Sequence, residues 1–176
     1  MAKIEAAALE YAPQTLAALS NPGLLLVSLD PKGRPNVMTI GWGSPGIFWR
    51  RPIFIAPVRH SRYTHGCIEH TGDFTVNVLP QELAQLAEFC GSRSGRDCDK
   101  FAEAHLTAAG ALRVKSPVIE ECVLHYECRV VHSNDLVPAA MDKGMLDSLY
   151  ATGDYHRFFF GEILAVRAEE DMRQRL

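Results

Sequence analysis

The chain's 176 residues, 47% of them hydrophobic and 22% charged, suit one domain spanning 1–176, long enough to bury roughly 70% of its unfolded surface without a disulfide or metal to staple it. A formal charge of −3 excludes nonspecific nucleic-acid binding, which needs a basic face to displace counterions, and no run approaches the ~20 apolar residues of a membrane span. Glu5 and Glu10 break the apolar pattern of MAKIEAAALEYAP, unlike a secretory leader, so the five cysteines read as reduced thiols of a cytoplasmic protein.

In chain order, the segment up to Leu19 reads as one or two helical turns interrupted at Pro13, and SNPG at Ser20–Gly23 as a turn. LLLVSLD at Leu24–Asp30 and NVMTIGW at Asn36–Trp42 flank the turn PKGRP, so residues 24–42 form a hairpin. Pro52–Val58 is a short apolar strand, Arg62–His70 a short helix and Asp73–Leu79 a strand. Pro80 opens QELAQLAEFC, where Leu83, Leu86, Ala87 and Cys90 recur at helical spacing. Asp99 is placed to cap a second short helix, KFAEAHL. The strongest strand signal is CVLHYECRVVH, Cys122–His132: Leu124, Tyr126, Cys128 and Val130 share one face, and His125, Glu127 and Arg129 the other. Ser133–Asp154 is irregular, and His156–Ala168 is a last strand. Many short strands with helices between some of them predict a mainly β fold, a β-barrel with peripheral helices.

GWGSPG at Gly41–Gly46 satisfies G-x-G-x-x-G literally. The dinucleotide fingerprint also needs a helix to begin there, because the helix N-terminus holds the pyrophosphate. IFWRRPIFIAP follows instead, with Pro52 in it and no helical period, so the match is rejected. His60, His65, Cys67 and His70 do not share a helix face at zinc-ligand spacing, so no metal is expected. Cys90 and Cys98 lack the C-x-x-C spacing and read as incidental thiols. The Phe158–Phe160 run reads as barrel core and interface.

Three stretches concentrate small, hydroxyl and cationic residues: NVMTIGWGSPG, RHSRYT at Arg59–Thr64, and CGSRSGRDCDKF at Cys90–Phe101. Small residues let backbone approach a ligand, while hydroxyls, amides and guanidinium groups donate to anionic oxygens. At RHSRYT a phosphate would meet Arg59, Ser61, Thr64 and the free amides of the helix that follows. The plainer reading of that motif alone is a solvated Arg59 and a helix-capping Ser61. Together the three stretches point to one phosphorylated cofactor.

With VKSPVIEECVLHYECRV at Val114–Val130 and FFFGEILAV at Phe158–Val166, their order and spacing resemble the flavin reductase-like family of FMN-binding split-barrel proteins, which includes flavoredoxins. The resemblance covers about residues 23–168 and implies a Greek-key split barrel, noncovalent FMN, and a homodimer with the flavin near the subunit interface. On the matching positions it implies ring contacts from Asn36 and Trp42 and main-chain contacts or packing from Met38, Thr39, Ile40 and Gly41. It implies phosphate and ribityl contacts from Arg59, Ser61 and Thr64, with Tyr63 beside them. Ser94, Arg96 and Lys100 match positions near the flavin or its phosphate, and His156 or Phe159 reaches the ring from the last strand. Lys100 is the expected cation near the pyrimidine edge, where it would favour the reduced anionic ring. The flavin carries the chemistry, so no catalytic side chain is assigned. The implied activity passes hydride from NADH or NADPH through FMN to free flavin, a small molecule or a partner protein. The alternatives are a flavoredoxin-like electron carrier, or a split-barrel relative that binds haem or another ligand. The resemblance weakens over Ser133–Asp154, the part expected near the flavin's open face or the dimer partner.

Overall fold

In the computed structural model, which describes residues 3–176, the elements run β1 (Lys3–Glu5), α1 (Ala12–Ser20), β2 (Leu24–Leu29), β3 (Pro35–Ile40), β4 (Ser44–Phe48) and β5 (Arg51–Arg59). They continue with α2 (Tyr63–Thr71), β6 (Asp73–Val78), α3 (Gln85–Ser92), α4 (Lys100–Glu103), β7 (Ala108–Ala109) and β8 (Val118–Ile119). The chain ends with β9 (Leu124–Asp135), α5 (Lys143–Leu149) and β10 (His156–Glu169). One antiparallel sheet orders its strands β3-β2-β6-β9-β10-β5-β4, with β1 added beside β10, and β7 pairs with β8 separately. The sheet curls until β3 approaches β5, leaving a barrel that is open along the line between them.

Burial explains the sequence pattern strand by strand. LLLVSL is apolar but for Ser28, whose buried hydroxyl donates to the Asp73 carbonyl, because β2 is covered on both faces. Leu24 and Leu26 point into the barrel with Phe54, Phe74, Tyr126 and Phe159. Leu25 and Val27 point outward into a second core with Ala87, Cys90 and Phe101 beneath α3 and α4. On β9 the predicted alternation places Leu124, Tyr126 and Cys128 in the barrel core. The opposite face is buried as well: His125 Nε2 lies 2.8 Å from the Ile119 carbonyl, and the Glu127 carboxylate accepts the Leu112 and Arg113 N–H groups. The 107–119 segment therefore covers this polar face of β9 at His125 and Glu127.

β10 runs between β9 and β5, and its register shifts between Phe160 and Gly161. A Cβ at Gly161 would lie 2.5 Å from Phe74 Cζ and 2.7 Å from Cys128 Cβ, so only glycine lets this strand cross the core so closely.

Several local expectations change. Pro13 does not interrupt a helix: it sits in the first turn of α1, where its missing N–H has no intrahelical partner to lose. β1, β4, β7 and β8 are additional strands, and α5 forms inside the stretch expected to be irregular. GWGSPG leads into β4 rather than a helix, consistent with rejecting the dinucleotide fingerprint. No helix among the described residues is long and apolar enough to cross a membrane.

Candidate functional site

The three motif stretches meet along β3. Asn36, buried on that strand, donates from Nδ2 to Thr64 Oγ1 at 2.7 Å and ties β3 to the start of α2. Arg96 donates to the Ser61 carbonyl at 2.9 Å, and its guanidinium lies 5.3 Å from the centroid of the Tyr63 ring. The 93–99 loop is thereby tied to the same helix start. Gly95 presses onto β3 so closely that a Cβ there would overlap the Asn36 side chain. Tyr63 donates to the Asp30 carboxylate at 3.3 Å. Burial alone would raise the Asp30 pKa, but hydrogen bonds from Arg34 and the Lys32 N–H hold it at about 2.

Lys100 forms the foot of this loop. Its ammonium is buried and donates to the Cys90 and Arg93 carbonyls at 2.9 and 3.1 Å. A cation there satisfies the C-terminal end of α3, and burial lowers its pKa. Asp99 caps α4 as expected, accepting the Ala102 N–H at 3.1 Å. Cys90 and Cys67 are buried thiols, both pushed up to about 11 by desolvation. The His60 and His65 rings lie 4.4 Å apart and tilted by 42°, while His70 is exposed.

These contacts leave one groove with three hollows. The outermost, about 410 Å³, lies between Asp30, Arg34 and the 95–101 stretch. The middle hollow, about 170 Å³, is walled by Met38, Arg62, Ser92, Ser94, Arg96 and Lys100. The inner hollow, about 190 Å³, sits at the barrel's open line among Met38–Trp42 of the β3 end, Pro57 and Arg59 of β5, and His156. Shared walls join them: Tyr63, Gly95, Arg96 and Lys100 line the first two, and Met38 and Arg62 the last two. β3 is an edge strand of the sheet, so backbone N–H and C=O groups on its free side have no strand partner.

The inner hollow ends on an aromatic pair. Trp42 and His156 lie 5.0 Å apart, and the Tyr150 hydroxyl sits 2.6 Å from His156 Nδ1. Burial, reinforced by the nearby Arg59 charge, pushes His156 down to about 4 although Asp154 opposes it. His156 is therefore a neutral imidazole at neutral pH.

Most residues singled out in the sequence line this groove, but several are committed to other partners. Arg59 donates to the Asp154 and Leu149 carbonyls at 2.9 and 3.1 Å. Ser61 gives its N–H and hydroxyl to the Asp154 carboxylate at 3.0 and 2.6 Å. The side chain of Thr39 turns onto α3 and donates to the Ala87 carbonyl at 2.5 Å. Ile40 packs in the barrel core, so only its backbone and that of Gly41 face the hollow. The expected reach of Phe159 is corrected: strand alternation turns its ring into the core, against His65. Three residues were missed. Arg62 lay inside RHSRYT and walls two hollows, whereas Tyr150 and Asp154 stand in a stretch with no motif.

The family model described as flavin reductase like domain matches residues 16–176. An uncharacterised protein of Archaeoglobus fulgidus is 37% identical over 76% of this chain, which spans 65% of that relative's length. A flavoredoxin of Methanosarcina acetivorans is 30% identical, with a TM-score of 0.68 over 85% of this chain and 69% of its own. The flavoredoxin of Desulfovibrio vulgaris is 25% identical, with a TM-score of 0.69 over 85% of this chain and 70% of its own.

Proposed function

Because this chain belongs to the flavin reductase-like domain family, we propose that it binds FMN noncovalently and acts as an oxidoreductase drawing electrons from NADH or NADPH. The observation that carries this reading is the convergence of three distant segments on one groove that is cationic in the middle and aromatic at one end. The donor set fits the cofactor. Arg62, Arg96 and Ser94 offer charge and a hydroxyl to a phosphate. The free backbone side of β3 from Asn36 to Gly41 suits the polar edge of a flat heterocycle, with Met38 and Trp42 supplying apolar contact. Tyr63 and Thr64 hold the wall between them, and Lys100 adds buried positive charge beneath the loop. FMN, when bound, supplies the hydride and electron transfer. The protein's part is to hold it, exclude water from the face against β3, and offer His156 as a neutral polar group at the aromatic end.

Titrating the purified protein with FMN tests the first half: saturable quenching of flavin fluorescence is expected, and unchanged fluorescence overturns the reading. Anaerobic mixing with NADH and NADPH tests the second. Rapid bleaching of bound flavin supports the reductase. The likeness to two flavoredoxins favours an electron carrier as the second reading. Bleaching by a protein donor and by neither nicotinamide would establish it.

We further propose a homodimer in a reducing cytoplasmic setting, with five unbridged thiols supporting the latter. Phe48, Trp49, His132 and Phe160 form one contiguous aromatic cluster, and Ile47 and Trp49 are each 60% exposed. Such a patch is covered in a stable protein more often than left wet. Trp49→Asp should shift the sedimentation coefficient from dimer to monomer, and a wild-type monomer ends the proposal.

A further inference from the structure

The stretch between β9 and β10 forms a strap whose attachments converge on one residue. Asp142 caps its helix α5 by accepting the Met145 N–H at 3.0 Å. Arg59 holds the strap through the Leu149 and Asp154 carbonyls, and its guanidinium lies 4.9 Å from the Tyr150 ring centroid. Asp154, in the left-handed region at φ 58°, presents its carboxylate to Ser61. These bonds press Tyr150 against the start of β10, where its hydroxyl meets His156 Nδ1 at 2.6 Å.

The direction of that hydrogen bond follows from what the buried groups need. Tyr150 is 5% exposed and His156 8%. Burial raises the Tyr150 pKa, so its proton stays on, and among the described residues the hydroxyl has Nδ1 as its one hydrogen-bond partner. If Nδ1 carried the proton, the Tyr150 O–H would be left without an acceptor, and buried donors are rarely left so. Nδ1 is therefore the acceptor, and the imidazole proton is on Nε2. The other constraint on the ring is Trp42, 5.0 Å away. The charged and titratable groups around His156 are Arg59 of β5, Arg62 ahead of α2, and Tyr150 and Asp154 of the strap.

We propose that Tyr150 is a positioning residue: its hydroxyl fixes His156 as the Nε2–H tautomer, so that the inner hollow presents a neutral hydrogen-bond donor to a carbonyl or ring-nitrogen acceptor of a bound ligand. Arg59 and Ser61 then serve the strap that carries Tyr150. The identity of the ligand rests on the flavin reading above; the tautomer does not.

Long-range proton–nitrogen correlation spectra of the uniformly nitrogen-15-labelled ligand-free protein test this directly, with His156→Gln assigning the signal among the seven histidines. His156 should appear as the Nε2–H tautomer at neutral pH. In Tyr150→Phe it should become a tautomer mixture, and FMN affinity should fall about 3–10-fold, the loss expected of one neutral hydrogen bond. His156→Gln, whose amide can donate from a similar place, should retain more affinity than His156→Ala. A wild-type Nδ1–H signal, or an unchanged spectrum in a folded Tyr150→Phe, overturns the proposal. Should Tyr150→Phe fail to fold, Ser61→Ala leaves Tyr150 in place and should still mix the tautomers by loosening the strap; an unchanged signal there overturns it too. A protein with the expected tautomer that ignores FMN would refute the flavin reading and leave this one standing.

Discussion

Two clusters of arginine and serine flank the same groove and differ in what they are bonded to. On one side, Arg59 and Ser61 are engaged by a carboxylate and two carbonyls from a strap about ninety residues downstream. On the other, among the described residues the Arg62 side chain makes one long 3.5 Å contact, to the Gly91 carbonyl, and Arg96 uses one guanidinium nitrogen on the Ser61 carbonyl. Composition is nearly the same; availability is not. A donor already answered by a protein acceptor gains little from a phosphate, because the exchange breaks one charge-assisted bond to make another. An anion site is therefore defined by its unanswered donors.

The sharpest way to break this contrast is to remove each cluster in turn. Arg62→Ala with Arg96→Ala should weaken FMN binding on the order of 100-fold, the value of two charge-assisted hydrogen bonds at about 1.5 kcal/mol each. Arg59→Ala with Ser61→Ala should change it by less than about 10-fold, through the loosened strap alone. Fluorescence titration of both double variants decides the matter, and the opposite ranking would return the phosphate to Arg59 and Ser61.

Removing the internal carboxylate asks the same question from the other direction. Asp154→Ala should cost about 1 kcal/mol in urea unfolding, a charged hydrogen-bonded pair discounted for partial exposure. It should also speed proteolysis within 136–155 while leaving FMN affinity unchanged or slightly weaker. Tighter FMN binding would show that Asp154 occupies a phosphate position, and the distinction between the clusters would collapse.

What the sequence could convey follows the same division. The open groove was legible because its parts are local: NVMTIGW lies on one strand, RHSRYT enters one helix, and CGSRSGRDCDKF links two. Strand alternation and the Asp99 cap also read correctly, since each depends on neighbours within a few residues. The commitment of Ser61 was not legible, because its partner Asp154 lies 93 positions away in a stretch without periodicity. The covering of His125 and Glu127 by the 107–119 segment, and the pairing of Tyr150 with His156, escaped for a different reason: the partners are near in sequence but joined through irregular turns whose path no periodicity encodes. Arg62 is different. It stood in the motif beside the assigned residues and was passed over in favour of Arg59, a choice that one sequence offers no means of making.

The smallest expected difference between the two sides is in their response to acid. His156 titrates near 6.5 in an unfolded chain and is depressed to about 4 here, by burial first and Arg59 second. Between those values the unfolded or opened strap binds a proton that the closed strap does not, so closure is fully favoured above pH 6.5 and weakens progressively as the pH falls toward 4. The 91–100 loop contains no imidazole. His125, held down to about 3 by burial inside the fold, draws on the same proton uptake only when the barrel opens, so it lowers global stability without favouring either side. Hydrogen exchange corrected for intrinsic rates should therefore show protection falling in 143–155 between pH 6.5 and 4.5 while 91–100 holds. Equal loss on both sides would mean that the barrel is opening as a whole, and that the strap has no acid sensitivity of its own.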